Sequence, residues 1–168
     1  MNHDHIVDYF ESLNSKLADF PEKSFFRMDL TEIQGAFRSG INFPAMSVES
    51  PQLDMSKSNV SNSVLGHDFA FTIWKKPKTG DFGGQNTDLG DCERIGLKIL
   101  ARMRYDARVP DHLIYNSFEA RSVSAIKVGP LFTENLYGYR FIGTFSNNKP
   151  LIINPADWND LDSPCPSN

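Results

Sequence analysis

The chain has 168 residues, 17 Lys plus Arg against 21 Asp plus Glu, and a formal net charge of −4. That length predicts a single domain with a core between two layers of secondary structure, and 13 Phe supply more apolar mass than a disordered chain carries. A slightly acidic chain is not built to coat nucleic acid, which requires a dominant basic surface, and no run of about 18 apolar residues is present to span a membrane.

In chain order, Met1-Asn2-His3-Asp4-His5 lacks the basic and apolar regions of a signal peptide, so a cytoplasmic location is expected. Ile6, Tyr9, Phe10, Leu13, Leu17 and Phe20 follow at three- and four-residue spacing, one face of a helix that Asp4 can cap and Pro21 ends. A short strand is expected over Ser24 to Asp29 and a second helix over Leu30 to Ser39, stopped by Gly40. Phe43 to Ser50 reads as a strand entered through Pro44, and residues 51–63, rich in Ser, Asn and Lys, as a solvated loop or hairpin arm.

Leu65, His67, Phe69, Phe71 and Ile73 alternate, which puts them on one face of a strand running to Lys76. Residues 77–86 read as a polar, Gly-rich connection. Beyond it Leu89, Cys92, Ile95, Ile99, Leu100 and Met103 form the buried stripe of a helix capped at Thr87 or Asp88 and left at Pro110. Arg102, Arg104 and Arg108 then stand at a dipole-matched, solvated helix end, with phosphate contact as the alternative. Phe118 to Val128 is strand-like until Gly129-Pro130 breaks it. Tyr137, Tyr139, Phe141, Gly143 and Phe145 alternate strictly, and a turn at 147–150 leads into a short strand, Leu151 to Ile153. The sum is an α+β fold, an antiparallel β-sheet with two or three helices packed on one face. One domain is expected over 1–158 and an irregular acidic, Pro-containing tail over 159–168.

No catalytic set stands out. His3, Asp4 and His5 are metal-like ligands at a terminus expected to fray. Gly-x-Ser-x-Gly, a Walker lysine and an EF-hand spacing are all absent, and nothing requires a metal or cofactor. Cys92 and Cys165 are too few for a disulfide framework and read as free thiols. Tyr137, Tyr139, Phe141 and Phe145 read as core. The alternative makes some aromatics subunit anchors, with Tyr105, Tyr137 and Trp158 the candidates. Two other readings stay open. One is an enzyme or ligand-binding domain in which Asp81, Asp88, His67 and His112 converge on a pocket. The other is a nucleic-acid module using Lys75, Lys76, Lys78, Arg102, Arg104 and Arg108 as a basic patch.

Three segments in order carry a resemblance: Phe43 to Ser50, the Cys92 to Leu100 stretch of the helix, and Val128-Gly129-Pro130-Leu131-Phe132 with Leu136 to Phe141. Over roughly 25–158 this pattern resembles phage and prophage tail-terminator or tail-completion proteins. The resemblance implies a small, non-enzymatic α+β protein, cytoplasmic during assembly and then part of a virion or phage-like particle. It also implies a self-associating ring, commonly a hexamer, that meets tail-tube or connector proteins. Membranes and nucleic acid are not expected as partners. The arm at 52–63 and the loop at 77–86 would be its reaching elements.

Overall fold

The computed structural model describes residues 1–27, 40–55, 63–78, 80–131, 135–148 and 151–160. The helix expected over 30–39 and the tip of the 52–63 arm fall outside these residues. Two helices are described, α1 (His3–Lys16) and α2 (Phe82–Asp106). Six strands form one sheet: β1 (Phe25–Arg27), β2 (Ala45–Val48), β3 (Gln52–Asp54), β4 (Val64–Lys75), β5 (Ser124–Leu131) and β6 (Leu136–Asn148). The fold is α+β with a mostly antiparallel sheet.

Several ends differ from the sequence reading, each for a local reason. Asn2 caps α1 in place of Asp4, its Oδ1 accepting the His5 N–H at 3.1 Å, while Asp4 sits in the first turn where the helix dipole favours a carboxylate. The helix closes at Leu17, whose N–H reaches the Leu13 and Asn14 carbonyls, well before Pro21. The start of α2 is five residues earlier than Thr87. Asp81 caps it by accepting the Gly84 N–H at 2.8 Å, and that cap offsets the poor helix propensity of Gly83 and Gly84. Residues 82–86 are therefore helix and not connection. At its other end α2 stops at Asp106, before Pro110.

The sheet order is β1-β2-β4-β6-β5, with β3 also pairing β4. The short β1 runs parallel to β2, and every other pair is antiparallel. The long β4 and β6 pair continuously from Val64 opposite Asn148 to Lys75 opposite Tyr137. Gly129-Pro130, a cis peptide bond, does not end β5. The strand passes through an irregularity between Val128 and Leu131, which an edge strand accommodates because one side of its backbone pairs with no described strand. The expected strand at Phe118 reduces to a single bridge with Phe145, followed by a 3-10 turn over Ala120–Ser122. Leu151 to Ile153 belong to no strand.

Both helices cover one face of the sheet, here the helix face. Phe10 of α1 lies 5.4 Å from Phe69 and 5.3 Å from Phe71 between ring centroids, and Phe71 stacks on Phe141 at 5.0 Å. From α2 come Cys92, Ile95, Ile99 and Met103, all buried. Gly96 sets how close α2 comes, because a Cβ there would strike the Phe141 ring. The opposite or reverse face holds a smaller cluster of Phe26, Ala45, Trp74 and Leu136 at one end, where Trp74 Nε1 donates to Ser47 Oγ at 2.7 Å. No described helix is long and apolar enough to cross a membrane.

Candidate functional site

The four groups that an enzyme reading would bring together are spread along the fold. Asp81 caps the start of α2 and Asp88 lies in its second turn, while His112 follows its other end, and a helix of 25 residues is about 37 Å long. His67 is buried on β4, opposite Phe145 of β6. His112 belongs to a different group, centred on the buried Asp106. That carboxylate accepts from the Tyr9 hydroxyl at 2.9 Å and from Arg102 Nε at 2.8 Å, and His112 Nε2 lies 3.7 Å from it. Burial, with the hydrogen bond to Asp106, raises the Tyr9 phenol well above its ordinary range. The arrangement ties α1 to the end of α2. Its hydroxyl stays protonated, and its carboxylate is engaged by two donors. Among the described residues, no group of three or more His, Cys, Asp or Glu is placed to hold a metal ion.

The six basic residues do not form one patch. Lys75 reaches the first half of α2, whereas Arg102 and Arg104 stand eleven or more positions beyond Asp91, about 16 Å or more along the axis, and Arg108 follows the helix end. Lys75 is also engaged, bonding Asp88 at 3.0 Å and Asp91 at 2.5 Å. Burial pulls its ammonium pKa down, but the bonds to Asp91 and Asp88 outweigh burial and hold it above the ordinary value. The ladder continues outward. Arg94 joins Asp91 to Asp19, and Lys98 joins Asp19 at 2.7 Å, so the turn after α1 is clamped onto α2. Beneath the ladder the Cys92 thiol is pushed up to about 12 by burial, which leaves it protonated and unreactive.

The reverse face away from Trp74 is polar. Arg140 of β6 grips Glu49 with both Nε and Nη2, at 2.5 and 2.8 Å, and Thr144 donates to Asp68 at 2.6 Å. The hydrogen bonds to Glu49 hold the Arg140 guanidinium above its ordinary value. Around this pair lies a shallow depression of about 330 Å³ bordered by Ser50, Gln52 and Ser124, and it adjoins a second of about 460 Å³ that reaches Thr72, Trp74 and Val128. Small-molecule sites are enclosed and mostly apolar. This floor is open and its charged pair is self-neutralised.

Of the candidate anchors, Tyr105 is 64% exposed on α2 and Trp158 is 56% exposed, while Tyr137 is half-buried beside Gly129. The sequence reading missed the most exposed apolar run. Leu151, Ile152 and Ile153 take no regular structure and are in solvent, Ile152 at 81%, and on the free edge of the sheet Ile126 of β5 is 47% exposed. The sequence reading makes them a short strand, because three aliphatic residues in a row suggest one without saying what it pairs with. No protein-family model matches the chain, and no curated protein matches it.

Proposed function

We propose that the chain is a non-enzymatic structural protein of a phage or phage-like tail, a ring-forming tail terminator or connector component. The observation that carries this reading is the placement of the exposed apolar side chains. Ile126 stands on the free sheet edge, and Leu151, Ile152, Ile153 and Trp158 on the segment beyond β6, where packing among the described residues does not use them. A run of exposed apolar side chains such as Leu151 to Ile153 marks contact with other proteins. The helix-backed α+β sandwich agrees with the family resemblance of the 43–50, 92–100 and 128–141 segments. Donor and acceptor surfaces at different places on one chain are what a ring of identical subunits needs, since heterologous contacts close into rings.

The test is direct. Light scattering on the purified chain should give a closed oligomer, and electron microscopy should find it at the ends of tail tubes from the same gene cluster. A monomer at high concentration that leaves tube ends bare would sink the reading.

A further inference from the structure

We propose that residues 151–154 of one copy add as a strand to the β5 edge of a second copy. The proposal deepens the assembly reading above by naming the partner surface.

The donor is a short segment without regular structure, whose last residue, Asn154, has an extended backbone. Leu151, Ile152 and Ile153 make no hydrogen bond among the described residues, and their side chains are in solvent. Pro155 and a 3-10 turn over Pro155–Asp157 end the segment, leaving four residues, about 13 Å of strand. The acceptor is the outer edge of β5. The sheet order ends there, and no described residue pairs with its outer side. Beyond Val128 the irregularity around Gly129-Pro130 closes the edge to pairing, as such features do at natural edges. What stays open is 124–128, five residues, enough for the four of the donor.

The chain cannot make this contact with itself. In an antiparallel addition with Ile152 beside Ile126, Leu151 stands level with Lys127, which is opposite Tyr139 on β6. Asn148, where β6 ends, is nine residues further along, roughly 30 Å. The three peptide units from Asn148 to Leu151 span at most about 11 Å. A parallel addition beginning at Ser124, opposite Ile142, still needs roughly 20 Å. Each chain therefore extends its apolar segment away from its own free edge, and a second copy supplies the edge it fits. Main-chain bonds then give affinity, and Ile152 packing on Ile126 gives register.

The experiment uses the full chain in a Cys165→Ser background, where Cys92 is buried. One preparation carries Ile126→Cys and another Ile152→Cys. Mixed and oxidised, they should give a disulfide-linked pair that neither gives alone. Separately, Ile152→Asp should raise the dissociation constant of the assembly on the order of tenfold or more, with an unchanged circular dichroism spectrum, and Leu97→Asp on the outer face of α2 should not. An oligomer that survives Ile152→Asp and gives no mixed crosslink overturns strand addition while leaving the assembly reading in place. Crosslinked oligomers that ignore tail tubes overturn the tail reading and support strand addition. A wild-type chain that stays monomeric overturns strand addition.

Discussion

On the helix face β4 presents Phe69, Phe71 and Ile73, and on the reverse face the same strand presents Asp68, Ala70, Thr72 and Trp74. Its neighbour β6 repeats the contrast, with Phe141 and Phe145 towards the helices and Arg140 and Thr144 away from them. One side is stacked rings under two helices. The other is mostly short or hydrogen-bonded side chains under no described helix. The larger buried cluster lies on the first face, and the second holds only a small one at one end.

The strongest way to break this comparison is to cut into the helix face. Phe71→Ala removes a ring that touches both Phe10 and Phe141, and should cost about 3–5 kcal/mol in urea unfolding. If it costs no more than a reverse-face change, the asymmetry is wrong. Gly96→Ala tests the approach of α2. The added methyl meets the buried Phe141 ring, so overpacking should outweigh the gain in helix propensity and cost about 1–3 kcal/mol. Tyr9→Phe tests the tie between the helices by leaving the buried Asp106 one donor short, at about 1–3 kcal/mol. Arg140→Met, on the reverse face, removes a half-exposed pair and should cost only about 1 kcal/mol or less.

The smallest effect is the pH dependence of the clamp on the outside of α2. Lys98, and then Arg94, hold the Asp19 carboxyl below its ordinary value, and Lys75 does the same for Asp91. A carboxyl with a lower pKa folded than unfolded adds stability that is complete above the unfolded value, about 4, and is lost as pH falls through the folded one. Tm should therefore fall on acidification below about pH 4. Asp19→Asn should start lower and fall less steeply. Equal slopes would mean that the clamp does not contribute.

The helix face was the legible part. Alternation in β4 and β6 and the three-and-four spacing in α1 and α2 come from burial on one side, which sequence records directly. What escaped was set by particular partners. The early start of α2 hangs on one side-chain bond from Asp81, which outvotes two glycines. The Glu49 and Arg140 pair joins residues 91 positions apart, and no local pattern announces it. Leu151 to Ile153 read as a short strand and form none, because a strand is defined by its partner, and none of the described residues serves as one. The basic residues looked like one patch in sequence and separate along a helix in space.

The place of Phe10 has a consequence for how the chain is made. Its ring lies 6.4 Å from that of Phe145, and Tyr9 beside it bonds Asp106. α1 thus draws its cover from β4, α2 and β6, all of them later in the chain, and the cover is complete only when β6 has been synthesised. Until then the apolar stripe of α1 is only partly covered, because its packing is long-range and the loop-closure cost precedes the reward. Production of this protein should depend on what shields that stripe during synthesis, and a chain cut short before β6 should aggregate through α1, which polar substitutions at Phe10 would relieve.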